Sequence, residues 1–166
     1  MTEIRESNRQ ETMMSCIEML FEHNFTVREP ILDSVKQLSS ENFTKNHGVG
    51  WGSIRDILIH LVNTEKYWIS VLKDEEMDWL DPNDFPDSQS IAKAWMDTEK
   101  ETREYMIALD EDQLHHVKRV RWPDATVSFT VKKALVHLAT HEVHHRGLIV
   151  GLIRKMGHTP PVVDML

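Results

Sequence analysis

The stretch 128-SFTVKKALVHLATHEVHHRGLIVGLIRKM-156 predicts a long amphipathic helix, and this helix decides the fold. At about 100° per residue, its apolar side chains fall on one stripe. The members of the stripe are Val131, Ala134, Leu138, Ile149, Leu152 and Met156. Gly157 follows as a natural C-terminal cap, with two prolines beyond it. A long helix with one apolar face needs other helices against which to bury that face.

Three other stretches of the chain also show helical spacing of apolar residues. They cover about residues 10–38, 53–74 and 88–109. In the first predicted helix, Pro30 lacks a backbone donor, so a kink or a break is expected there. The second begins at Ser53 as its N-cap, and the third begins at Ser88 or Ser90. We therefore expect an all-α fold, a four-helix bundle formed by a single domain over residues 1–166.

The segments between the predicted helices are short and rich in turn residues. Residues 80–87 read as a loop because they contain two prolines and several other turn-forming residues. Residues 110–127 join the third and fourth helices, and Val117, Val120 and Val127 flank the turn-like pair Pro123-Asp124. This pattern is compatible with a short β-hairpin.

Composition excludes several classes of function. The formal net charge is -8, which repels phosphate backbones and anionic lipid, so neither a nucleic acid nor a membrane is expected as partner. The basic run 118–121 is short and is interpreted as a solvated loop or hairpin. No apolar run approaches the roughly 20 residues that a membrane span needs. The single cysteine, Cys16, forms no intrachain disulfide, which suits the cytoplasm, and we expect it to be a small buried hydrophobe.

Histidines concentrate on the fourth predicted helix. His141 and His145 are related as i and i+4 and lie in the apolar stripe, so their Cβ atoms should be about 5–6 Å apart on one face. Two imidazoles at this spacing can hold one metal ion, and His60, on the second predicted helix, is the candidate third ligand. His137 and His144 lie at one edge of the stripe and are not expected to be ligands.

The spacing of the histidines leaves an alternative open. A histidine on an apolar face is often a core residue satisfied by a hydrogen bond, although two such residues at i,i+4 leave several polar nitrogens to satisfy. Glu65 falls on the apolar side of the second helix, where it could orient His60, act as a general base, or simply form an ion pair. Glu142 lies off the centre of the stripe, solvated or paired with Arg146.

Three motifs in the chain resemble those of the DinB/YfiT-like family of metalloenzymes. They are 60-HLVNTEKYW-68, 137-HLATHEVHHRGLI-149 and 152-LIRKMGHTPPVVD-164. The resemblance implies an up-down-down-up four-helix bundle, often dimeric. It also implies a metal held by His60, His141 and His145. Leu148 departs from the family pattern, since many relatives have glutamine after Arg-Gly.

The resemblance also implies a function. It suggests a divalent-metal-dependent enzyme, either a thiol-dependent S-transferase that uses a low-molecular-weight thiol or a hydrolase, acting on a small molecule. Three imidazoles suit zinc, nickel, iron or copper, of which we favour zinc or nickel. A homodimer is expected, because relatives often pair and five tryptophans offer apolar surface. The alternative is a non-catalytic metal-binding or stress-related bundle, whose metal site would be closed to solvent rather than open.

Overall fold

Four long helices form the body of the protein. The computed structural model describes the backbone of residues 3–166 and the side chains from Met13 onward. The long helices are α1 (Glu3–Lys36), α3 (Ile54–Lys73), α4 (Ser88–Ala108) and α5 (Val131–Lys155), with a short α2 (Ser40–Thr44) between the first two. A two-stranded hairpin, β1 (Val117–Trp122) and β2 (Ala125–Thr130), precedes α5. Single 3₁₀ turns occur at Pro82–Asp84 and Gln113–His115.

The directions of the helices follow from the two apolar cores. One core joins the end of α1 to the beginnings of α3 and α4 and the end of α5, through residues such as Ile31, Ile57, Ile91 and Ile149. The other joins the opposite halves, through residues such as Phe21, Ile69, Met106 and Leu135. Helices α1 and α5 therefore run one way and α3 and α4 the other. The predicted up-down-down-up four-helix bundle is confirmed.

Local signals place the ends of the helices. The Ser53 hydroxyl accepts a hydrogen bond from the backbone N–H of Asp56 at 3.0 Å, so the predicted N-cap of the second helix is confirmed. The third bundle helix begins at Ser88, one of the two predicted starts, with Asp87 as its N-cap. The predicted hairpin is present, and its strands meet at the two-residue turn Pro123-Asp124. The predicted fourth helix begins three residues later than expected, because residues 128–130 belong to β2.

Of the kink or break expected at Pro30, the break is absent: α1 continues through Pro30, and Val27, Ile31 and Val35 are buried on both sides of the proline. A second expectation for α1 was wrong. Cys16 is exposed rather than buried. The buried face of α1 passes through Ile17, one residue further, and one residue corresponds to a rotation of about 100° on a helix.

At the middle of the bundle a buried arginine joins all four long helices. Arg28 of α1 is only 5% exposed, and its Nη2 donates to Oε2 of both Glu65 in α3 and Glu142 in α5, each at 2.6 Å. Its Nη1 donates to Glu99 of α4 at 3.2 Å. The guanidinium also lies over the rings of Phe25 and Trp95, 4.6 Å from each centroid. Glu142 was expected to be solvated or paired with Arg146; it is buried, and its ion-pair partner is Arg28.

Arg28 faces three carboxylates, of which Glu99 is also paired with Arg103. Burial by itself lowers the pKa of Arg28, but the charges of Glu65 and Glu142 outweigh that effect and raise it, so the guanidinium stays protonated. Burial raises the pKa of Glu65, and the charge of Glu142 adds to the increase, whereas Arg28 opposes it. Arg28 is therefore the group that makes three buried or half-buried acids tolerable between the helices.

No helix in the described part of the chain is both long enough and apolar enough to cross a membrane.

We expect Arg28→Met to lower the free energy of unfolding by about 3–5 kcal/mol, because it leaves the carboxylates without a buried cation. Urea denaturation monitored by circular dichroism measures this change. Arg103→Met is the matched control, since Arg103 also pairs with Glu99 but its side chain is 38% exposed. Its expected loss is about 0–1 kcal/mol.

The same experiment has an internal rescue. Adding Glu65→Gln and Glu142→Gln to Arg28→Met removes the unpaired charges, so the triple variant should be more stable than Arg28→Met alone. An Arg28→Met variant as stable as the Arg103→Met control would contradict the role of Arg28.

Candidate metal centre

Helices α3 and α5 bring together the three histidines selected from the sequence. His60 lies on α3, and His141 and His145 lie one turn apart on α5. One ring nitrogen from each lies within 4.8 Å of the other two. In the described part of the chain, this is the one group of three or more histidine, cysteine or acidic side chains with that spacing.

The distances between the rings fit one small ion. Nε2 of His60 lies 3.1 Å from Nε2 of His141. Two nitrogens bound at about 2.0–2.1 Å to a tetrahedral zinc ion are about 3.3 Å apart, so little movement is required. The ring centroid of His60 lies 4.9 Å from that of His141 and 4.7 Å from that of His145, and in both pairs the rings meet edge to face.

Hydrogen bonding distinguishes these rings from ordinary core histidines. Nδ1 of His141 and Nδ1 of His145 are buried and have no hydrogen-bond partner in the protein. A core histidine usually has its polar nitrogens satisfied by protein groups. Nδ1 of His60 has one candidate partner, the Thr64 hydroxyl, at 3.4 Å. Unpartnered buried nitrogens are unusual for a satisfied core cluster, and the nitrogens that converge, Nε2 of His60 and Nε2 of His141, are the ones placed to hold a metal ion.

The three rings are electrically neutral near neutral pH. Burial lowers the pKa of His60 to about 4, with the nearby His145 contributing. Burial likewise lowers the pKa of His141 to about 3, and the charges of His145 and His60 lower it further. The pKa of His145 is also lowered, first by burial and then by His144. Neutral imidazole is the form that binds a metal, so no proton has to be displaced.

The group is open to solvent on one side. His60 and His141 are partly exposed, whereas His145 is buried. The indole of Trp51 stacks on His60, with ring centroids 4.3 Å apart and an angle of 26° between the planes. His137 and His144 are exposed; their rings contact His141 and His145 but belong to no set of converging nitrogens.

Glu65, the candidate general base, belongs to the Arg28 network. The residue is 2% exposed, and its oxygens accept hydrogen bonds from Arg28, the Trp95 indole and the Thr102 hydroxyl. An ion pair was one of the roles that the sequence analysis left open for Glu65, and its partner is Arg28. A role in catalysis stays a prediction.

Two neighbours of the histidines were missed by the sequence analysis. Trp51 precedes the N-cap of α3, so no helical periodicity connects it with His60. Thr64 is one turn after His60 on the same helix, and the i,i+4 rule applied to the α5 histidines would have found it.

The chain matches known proteins along nearly its whole length. The family model of the DinB family matches residues 10–166. The uncharacterised protein YizA of Bacillus subtilis is 27% identical over 143 residues, which cover 84% of this chain and 87% of YizA.

Solved structures share the fold. A DinB-like protein from Bacillus cereus superposes with a TM-score of 0.67 at 17% identity, covering 87% of this chain and 95% of the other. YfiT from Bacillus subtilis, described as a probable metal-dependent hydrolase with an unusual four-helix bundle topology, superposes with a TM-score of 0.65 at 17% identity, covering 92% and 90%.

We expect His60→Ala, His141→Ala and His145→Ala each to weaken metal binding strongly. Loss of an outer partner alone costs about 10–100-fold in metal affinity, and loss of a ring should cost at least as much. Metal per chain is measured by mass spectrometry after dialysis against trace metal. His144→Ala is the matched control and should keep near-normal content. Equal loss in His144→Ala and His145→Ala would show that the wrong face of α5 had been assigned.

We also expect the metal-free protein to lose stability as the pH falls. A histidine in the unfolded chain has a pKa of about 6.5. Below that pH the unfolded chain therefore binds protons, whereas the folded rings, whose pKa values are lower, stay unprotonated. The free energy of unfolding should therefore decrease from about pH 6.5 down to the folded pKa values of about 4 and 3. Denaturation curves of the double variant His60→Gln, His141→Gln should show a shallower decrease. Parallel pH profiles for the two proteins would mean that the folded rings titrate normally.

Proposed function

The chain belongs to the DinB family, and from this premise we propose that it is a divalent-metal-dependent enzyme acting on a small molecule. Its site is the group His60, His141 and His145. The observation that carries the proposal is the convergence of one ring nitrogen from each of three neutral imidazoles, all within 4.8 Å of one another. Three protein ligands also leave a coordination position free, which is the arrangement of catalytic rather than structural zinc sites.

A bound divalent metal supplies one kind of chemistry here: it lowers the pKa of a water molecule or thiol in the free position and so provides a nucleophile near neutral pH. Two features of the surrounding residues support this chemistry. The histidines carry no charge of their own, so they leave the charge of the ion undiminished. With Nε2 of His60 as the ligand atom, Nδ1 would carry the proton, and the Thr64 hydroxyl, 3.4 Å away, would be placed to accept a hydrogen bond from it.

Two reaction classes use this chemistry. In a hydrolase the nucleophile is water, and the description of YfiT as a probable metal-dependent hydrolase supports that class. In a thiol-dependent S-transferase the nucleophile is a low-molecular-weight thiol, the class implied by the sequence resemblance. The two differ in one requirement, because only the transferase needs an added thiol.

Exposure of the site favours an enzyme over a purely structural or stress-related metal protein. A structural zinc site is closed, with four protein ligands. Here His60 and His141 are partly exposed. In the described part of the chain, the group offers three protein ligands and no fourth. We propose zinc or nickel as the metal and the cytoplasm as the location. The homodimer stays a prediction.

Removing the metal should abolish activity, and restoring zinc or nickel should recover it. Chelator-treated protein is assayed for hydrolysis of small esters and amides, and for conjugation of small thiols to electrophiles. His141→Ala should behave like the chelated protein, whereas His144→Ala should stay active. Activity that persists after chelation would reject the metal-dependent function, and activity that requires no thiol would select the hydrolase.

Glu65→Gln tests the remaining catalytic candidate. If Glu65 were a general base, which contributes about 10²–10⁴-fold to turnover, its loss would reduce turnover by at least the lower figure. Because the Glu65 oxygens are already engaged by Arg28, Trp95 and Thr102, we propose that the residue positions α3, and we expect turnover of the metal-loaded variant to fall by less than about tenfold. A hundredfold fall with intact metal content would restore the general-base role.

A further inference from the structure

Trp51 presents a large free aromatic surface beside the histidine group. Its side chain is 59% exposed although its indole stacks on His60. The imidazole is the smaller ring, so it covers only part of the indole. The uncovered part lies next to the ring whose Nε2 faces His141.

The segment that carries Trp51 is held in place. The backbone N–H of His47 donates to the carbonyl of Gly52 at 2.8 Å, and the N–H of Gly52 donates to the carbonyl of Val49 at 2.9 Å. Gly50 has a φ of +53°, and a Cβ at that position would lie 3.0 Å from Cδ1 of Leu148 on α5. The backbone beside Trp51 is therefore closed by its own hydrogen bonds and packed on α5, so the exposed indole is preorganised.

A fixed, exposed indole face suits a flat partner. Aromatic rings stack in offset or tilted pairs with centroids about 4.5–7 Å apart, and Trp51 already makes such a pair with His60. A net charge of -8 disfavours anionic ligands over the surface as a whole. A planar ring without negative charge is thus the ligand chemistry that fits the free face.

We propose that the free face of Trp51 is a stacking platform for a planar aromatic group of the substrate, whose reactive end lies at the three histidines. The inference rests on the proposed function, because the metal fixes the reactive end. His60 occupies the other face of the indole, so the ring on the free face and the reacting group must be joined by a short linker. The substrate class is a small molecule with an aromatic or heteroaromatic ring at that distance from the group that reacts.

Two hydroxamates test the platform by binding rather than by turnover. 3-Phenylpropanohydroxamate and 3-cyclohexylpropanohydroxamate carry the same metal-binding head and the same linker, but only the first has a planar ring. Titration calorimetry on zinc-loaded protein gives both dissociation constants. Stacking should favour the phenyl compound, so the dissociation constant of the cyclohexyl compound divided by that of the phenyl compound should fall by about three- to tenfold in Trp51→Ala. Comparing this ratio between proteins cancels any change in metal affinity that affects both compounds equally.

Two further variants make the result specific. Trp79→Ala is the matched control, because Trp79 is 64% exposed but stacks on Tyr67 instead of a metal-site histidine. It should keep the wild-type ratio. Trp51→Leu retains an apolar contact for His60 and removes only the planar face. Its ratio of dissociation constants should therefore fall as in Trp51→Ala, which keeps the test valid even if Trp51→Ala folds poorly.

Metal content, measured on every sample, separates the two proposals. Wild-type protein that binds no metal would reject the proposed function and the platform with it. Wild-type protein that binds metal, with an unchanged ratio in Trp51→Leu and Trp51→Ala, would overturn only the platform.

Discussion

The guanidinium of Arg28 constrains how the four long helices can rotate about their axes. Removing a charged group from water is expensive, and the cost is recovered only when its partners are well placed. Here the partners come from three other helices, Glu65, Glu99 and Glu142. Glu142 follows His141 directly, about 100° further around α5. Holding Glu142 against Arg28 therefore also holds the rotation of α5 at which His141 meets His60.

This polar level divides the interior into two apolar cores. The cores pack separately on either side of it, one around residues such as Ile57 and the other around residues such as Ile69. Apolar burial supplies most of the stabilisation but is insensitive to small rotations, since any similar apolar contact serves. Directional bonds distinguish one rotation from another. The Asn24 amide, which donates to the Ala139 carbonyl and accepts from Arg146, adds two such bonds between α1 and α5.

Sequence alone predicted the bundle and the histidine group, because both depend on periodicity within single helices. An i,i+4 pair lies on one face wherever the helix packs, so His141 and His145 needed no tertiary information. The Arg28 network did need it, since a helical wheel gives the direction of Glu142 but not the partner that meets it. Cys16 was misplaced because a face boundary falls between it and Ile17. Trp51 was missed because its position depends on a loop held against Leu148, which carries no periodic signal.

The polar level and the histidine group carry charge in different ways. Glu65, Glu99 and Glu142 surround Arg28, and Arg103 also pairs with Glu99, so the carboxylates of this network are held by guanidinium groups. The raised pKa of Glu65 reflects the cost of its charge there, which comes first from burial and then from Glu142. The imidazoles carry no charge near neutral pH, because burial lowers the pKa of His60 to about 4. Neutral imidazole is the form that binds a metal, so the burial that lowers these pKa values keeps the rings ready for a metal at pH values where a free histidine is partly protonated.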